Sequence, residues 1–357
     1  MEELSLQDYL QGASNFYRFA GIKRGDQVLL LPTAEFLAVD PTTVTALTQA
    51  GKDLGADISV ALIEDCGIRG NPPRPMTRAI GAWDLFLAIG EENPNPISGH
   101  CLTALKARWD YGAKQADLNG GKGVLGAKCS KFPFEILLAI ADNLLRRLQR
   151  GRTIEIVDDR GTHLSFPYDA NDIYGVGLAL ELGHMAAGQR TTWPLGGITL
   201  LPGESFSGIA MVDCISELPE FFQTPVRFKI VNGWVVDIED RKETKELKAE
   251  LAKPGNASFV DKIIIGINPK ASVTTGIRRS RFGELPQALG VAKIGIGDRP
   301  GVVSSHFYTT GYVLKPTILV DGEILFDHGR PLALKDPRVR ETAGKFGDPD
   351  LLLEPIP

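Results

Sequence analysis

Residues 25–63 read GDQVLLLPTAEFLAVDPTTVTALTQAGKDLGADISVALI, and the order of apolar runs and breakers in them decides the fold. Residues 28–31 (VLLL) form a short apolar run between Gly25-Asp26 and Pro32, the pattern of a buried strand. Asp40-Pro41 opens a helical pattern in which proline suits the first turn and Val44, Leu47 and Leu54 are spaced to share one face. Gly55 closes that helix, and residues 58–63 (ISVALI) read as the next strand. A strand, helix, strand order joins parallel neighbours, so this half is expected to be an α/β domain with a mostly parallel sheet.

Working outward, residues 70–75 (GNPPRP) read as a loop, 85–89 as a third strand and 92–100 (ENPNPISGH) as another loop. A long helix is expected over 133–150. Phe134, Leu137, Leu138, Ala141, Leu144, Leu145 and Leu148 recur at helical spacing, and Arg146, Arg147 and Arg150 sit at the negative end of its dipole. Gly151 ends it and marks the expected boundary between an N-terminal domain, 1–150, and a C-terminal domain, 151–357. Beyond it come β-like runs punctuated by glycine: 153–157, 198–201, 226–231, 234–238, 263–267, 294–296 and 317–320. Asp321-Gly322 follows the last of these and supplies the positive φ angles of a two-residue hairpin turn. One charged helix, 240–251, interrupts them. The second domain is therefore expected to be α+β and mostly antiparallel.

The 357 residues suffice for two cores, and 43% hydrophobic with 23% charged residues is globular composition. Net charge is −5 with no basic stripe, which excludes a nucleic-acid backbone as partner. No apolar run approaches bilayer length, and the acidic N-terminus lacks the order of a secretory signal, so the chain reads as cytoplasmic with no membrane partner. Cys66, Cys101, Cys129 and Cys214 are scattered without zinc-like spacing and read as reduced thiols. His100, His163, His184, His306 and His328 never occur at the paired spacing of a metal site. Nucleotide-binding, zincin and serine-hydrolase motifs are missing.

Five segments of the second half carry a resemblance. They are Gly161-Thr162-His163-Leu164; Leu201-Pro202-Gly203-Glu204; Asp261-Lys262-Ile263-Ile264-Ile265-Gly266-Ile267-Asn268-Pro269; Gly290-Val291-Ala292-Lys293-Ile294-Gly295-Ile296-Gly297; and Ser305-His306-Phe307-Tyr308 with Pro316 and Asp321-Gly322-Glu323. In order and spacing they resemble the metal-site segments of the aminopeptidase T and 2,5-dihydroxypyridine dioxygenase superfamily. The resemblance implies that family's two-domain fold, a homodimer, and a site built from these segments. Position by position it retains Glu204 and His306, but places Lys262 and Lys293 where the family has metal ligands and Tyr308 in place of an aspartate.

An ammonium has no lone pair for a cation, and two of them repel one. The metal site is therefore expected to be empty and its cavity to attract a small anionic substrate instead. Lys262, Lys293, His306, Tyr308 and Glu204 become the candidate catalytic groups for hydrolase-type acid–base chemistry without a cofactor. Arg278, Arg279 and Arg281 suit an anionic substrate. Two other readings stand beside this one. A divalent metal such as iron or zinc still held through Glu204 and His306 would give peptidase-like hydrolysis or dioxygenase-like ring cleavage. A non-catalytic binding protein would keep the fold alone.

Plainer readings of the same residues are a buried Glu204–Lys262 ion pair, a solvent-facing Lys293, a His306–Tyr308 pair alternating on one strand face, and a solvated arginine turn. Trp83, Trp109 and Trp193 are expected to pack cores.

Overall fold

The computed structural model describes residues 4–63, 74–90, 102–119, 121–174, 181–216, 218, 220–273, 284–299 and 302–356. The chain begins with helix α1 (Leu6–Ala20), set by a capping box in which Ser5 and Asp8 satisfy each other's backbone N–H groups. Gly21 ends it in the left-handed conformation. A parallel sheet follows, built from β1 (Gln27–Pro32), β2 (Asp57–Val60), β3 (Leu85–Gly90), β4 (Lys114–Asn119) and β8 (Arg190–Trp193) in the order β2-β1-β3-β4-β8. Helices α2 (Ala34–Val39), α3 (Pro41–Asp53), α4 (Arg74–Gly81), α5 (Leu102–Tyr111) and α6 (Lys128–Lys131) lie between its strands, and α7 (Phe134–Leu148) follows them.

Helix α3 begins as expected, with Asp40 accepting from the Thr43 amide and Pro41 in the first turn. Val44 and Leu47 are buried, but Leu54 is exposed because the helix stops at Asp53 and Leu54 is its cap. The last strand of this sheet, β8, lies well past Gly151, so dividing the chain there separates the strand from the sheet it completes. Trp193 on that strand packs against Phe16 and Phe19 of α1, with ring centroids 5.4 and 5.8 Å away. Trp193 and, in part, Trp83 are core residues, whereas Trp109 is 72% exposed on the outer side of α5, contrary to expectation.

The remaining strands form two sheets, almost all antiparallel. Eight strands make one: β5 (Thr153–Val157), β6 (His163–Pro167), β10 (Ser207–Val212), β12 (Val226–Val231), β13 (Trp234–Ile238), β17 (Thr317–Val320), β18 (Glu323–Asp327) and β19 (Arg330–Pro331). Six make the other: β7 (Ile173–Tyr174), β9 (Gly197–Leu200), β11 (Cys214–Ile215), β14 (Val260–Gly266), β15 (Val291–Ile296) and β16 (Thr309–Leu314), ordered β11-β16-β15-β14-β9-β7. The β17–β18 turn has Asp321 at φ 50° and Gly322 at φ 82°, both positive as that hairpin requires. The molecule is thus an α/β unit with a parallel sheet joined to an antiparallel-rich unit. Cys129 and Cys214 are buried free thiols, and burial pushes both well above the usual thiol range; Cys66 and Cys101 lie outside the described residues. No helix among the described residues is long and apolar enough to cross a membrane.

Candidate active site

Alternation along the six-stranded sheet divides its side chains sharply. Ile198, Leu200, Ile263, Ile265, Ile294, Ile296 and Val313 face the main core. The opposite face holds Lys262 and Ile264 on β14, Lys293 and Gly295 on β15, and Thr310 and Tyr312 on β16. The register sets Gly295 between Lys262 and Thr310, and Lys293 between Ile264 and Tyr312. Both candidate lysines therefore share one face, on neighbouring strands. Lys293 is only 2% exposed and is engaged within the protein, so the solvent-facing reading of it does not hold. The Lys262 side chain is 26% exposed.

Four of the five glycine-punctuated segments meet at one end of this sheet, where β9 and β15 end and β14 and β16 begin. Arg299 ties two of the loops there, donating from Nη1 to the Pro202 carbonyl at 2.9 Å. Ser305 receives the Ala257 amide and donates to the Phe307 carbonyl, fixing the approach to β16.

The side chains behave differently from the segments. Glu204 and His306 are exposed at the rim. The His306 amide donates to the Gly255 carbonyl, and its ring lies against Gly255. The Glu204–Lys262 ion pair does not form. Residues 306–308 precede β16, so His306 and Tyr308 do not share a strand face as expected; Tyr308 turns inward while His306 turns out. Arg278, Arg279 and Arg281 lie outside the described residues.

Lys262 is paired instead with its neighbour Asp261, Nζ to Oδ2 at 3.1 Å. Tyr308 donates its hydroxyl to the same oxygen at 3.2 Å, and the Lys262 ammonium stands 5.6 Å from the centre of the Tyr308 ring. Successive residues on a regular strand point to opposite faces, which would send Asp261 away from Lys262. A β-bulge prevents that. Val260 pairs with Ile296 and Lys262 with the next residue, Gly295, leaving Asp261 as the extra residue. The carboxylate is thereby brought to the lysine face, with its side chain 8% exposed.

Gly295 completes the cluster. A Cβ there would collide with the Tyr308 hydroxyl, so only glycine leaves room for the phenol over β15. Burial first, and then the charge and hydrogen bond of Asp261, hold the Tyr308 phenol well above the ordinary tyrosine range. The site thus presents a neutral hydroxyl, a buried carboxylate and two lysines.

Asp261, Gly295, Thr310 and Tyr312 are the residues that motif reasoning passed over; the Asp-Lys dipeptide at the head of a strand was the one signal for the first. Among the described residues no three of His, Cys, Asp and Glu come together as a metal-ligand set. The donors at the centre of the site do not suit a divalent metal, since the one carboxylate stands beside an ammonium and neither lysine offers a lone pair as an ammonium.

No protein-family model matches this chain, and no curated protein matches its sequence. Solved structures do match. The chain is similar to 2,5-dihydroxypyridine dioxygenase from Pseudomonas putida KT2440, with TM-score 0.69 and 15% identity over 93% of this chain and 99% of that one. It is also similar to wild-type AmpT from Thermus thermophilus, with TM-score 0.61 and 12% identity over 92% and 100%. At that identity the likeness is one of fold, and it spans both halves of the molecule.

Proposed function

We propose that the chain is a metal-independent enzyme performing hydrolase-type acid–base chemistry on a small anionic substrate. The observation that carries this reading is the pair Lys262 and Lys293, set on one face of neighbouring strands, Lys262 at the sheet end where the loops converge and Lys293 further into the sheet. The enzymatic scaffold named in the dioxygenase structure supports it as well. Fixed cations in a partly enclosed site stabilise developing negative charge without the reorganisation that water would need. Lys262, the more accessible, is placed to meet the substrate's charge, with Lys293 behind it. Tyr308, held in its hydroxyl form, contributes a fixed phenolic oxygen rather than a ready proton.

Metal analysis of protein purified without added metal, with and without chelator, tests the first half of the proposal. The expected results are substoichiometric metal and an unchanged melting temperature after chelation. Small carboxylates are expected to raise the melting temperature of the native chain and to lose that effect in Lys262→Met. Stoichiometric metal whose removal unfolds the site would defeat the proposal.

A further inference from the structure

We infer that Asp261 recognises a hydrogen-bond donor on the substrate, so that the site selects a small hydroxy acid over a plain carboxylate. This deepens the anion reading above and rests on it.

Oδ2 of Asp261 serves both Lys262 and Tyr308. Oδ1 makes no hydrogen bond among the described residues and is not one of the fully buried unpartnered atoms, so in a side chain only 8% exposed it is the oxygen that solvent still reaches. An unengaged carboxylate oxygen that water still reaches is open to a ligand's hydroxyl, which can donate to it in place of that water.

The same carboxylate sets a condition on any anion approaching Lys262, because its charge lies 3.1 Å from the ammonium the anion would meet. A bare carboxylate arriving there faces like-charge repulsion. A hydroxyl on the carbon next to the ligand's carboxylate changes this, since it donates to Asp261 while the carboxylate engages the lysine. An ammonium in place of that hydroxyl would also donate, but it would bring a third cation to a face already carrying Lys262 and Lys293. The pairing of cation and carboxylate therefore matches a neutral donor beside an anion, the arrangement of a 2-hydroxy acid.

Glycolate and acetate, which differ by that hydroxyl, are the probes, titrated calorimetrically into the full chain at constant ionic strength. Glycolate is expected to bind the native protein about tenfold more tightly than acetate. In Asp261→Asn the preference should shrink to about twofold or less, with acetate bound no more weakly than before; a purely structural role for Asp261 would weaken both. Tyr308→Phe, which leaves the carboxylate in place, should keep the preference and serves if Asp261→Asn fails to fold. Equal binding of the two anions, both dependent on Lys262, would overturn the hydroxy-acid inference and leave the anion reading standing. Absence of binding, or binding indifferent to Lys262→Met, would overturn both.

Discussion

Asp117 and Asp261 are both buried carboxylates beside a cation, and they differ in what the second oxygen does. Asp117, on β4, has no exposed side-chain surface; Gln115 donates to Oδ1 at 3.0 Å, and Arg190 reaches Oδ2 through Nε at 2.7 Å. Both oxygens are occupied, and the result is a joint that fastens β8 to the parallel sheet. Asp261 has both its donors on one oxygen and the other unengaged. A satisfied pair holds structure, whereas a half-satisfied one keeps capacity for a ligand.

The sharpest way to break this comparison is to remove each carboxylate and measure urea unfolding at pH 7. Asp117→Ala strands Arg190 and Gln115 and is expected to cost about 3–5 kcal/mol, whereas Asp261→Asn, which keeps an acceptor, should cost about 1 kcal/mol. Equal losses would make Asp261 a second structural joint. Next in size, Gly295→Ala forces a methyl group against the Tyr308 hydroxyl and should cost about 1–3 kcal/mol. Combined with Tyr308→Phe, the loss should be smaller than the sum of the two single losses, since both act on one contact.

A pH titration sharpens the comparison from the other side. The folded chain holds the Tyr308 proton more tightly than the unfolded chain, whose tyrosines ionise near pH ~10. The stability due to that proton is therefore complete below pH ~10 and is lost as pH rises toward the raised folded value. Burial also raises Tyr9, Tyr17 and Tyr168, so phenolate absorbance should show several tyrosines titrating late, one fewer of them in Tyr308→Phe and one of them shifted downward in Asp261→Asn, where the opposing charge is gone. Smallest of all, Glu204→Gln and His306→Gln, both at the exposed rim, should alter unfolding by no more than about 0.5 kcal/mol.

Much of the fold was legible because apolar period and turn chemistry act locally. Residues 153–157, 226–231, 234–238 and 317–320 coincide with β5, β12, β13 and β17, and Asp321-Gly322 turns as its residue types require. The sheet membership of β8 was not legible, since a four-residue strand joining a sheet across more than 70 residues from β4 leaves no local mark. At the site, motif order located the segments, but order says nothing of side-chain direction. Glu204 and His306 hold their positions along the chain and still point outward. Strand alternation alone would send Asp261 away from Lys262, and the sequence could not show otherwise, because a bulge is a property of two paired strands and is not written in either alone. Trp109 was misplaced for a simpler reason: a large aromatic side chain is assigned to the core by its type alone, although apolar groups also make up much of a folded surface.

The central proposal is that the ammonium groups of Lys262 and Lys293 make this site one for an anion. Parallel calorimetric titrations of the metal-free chain with glycolate and with zinc test it most directly. Saturable glycolate binding that disappears in Lys262→Met, with no stoichiometric zinc binding, is the predicted result. One equivalent of zinc bound tightly, and lost in Glu204→Gln or His306→Gln, would contradict it.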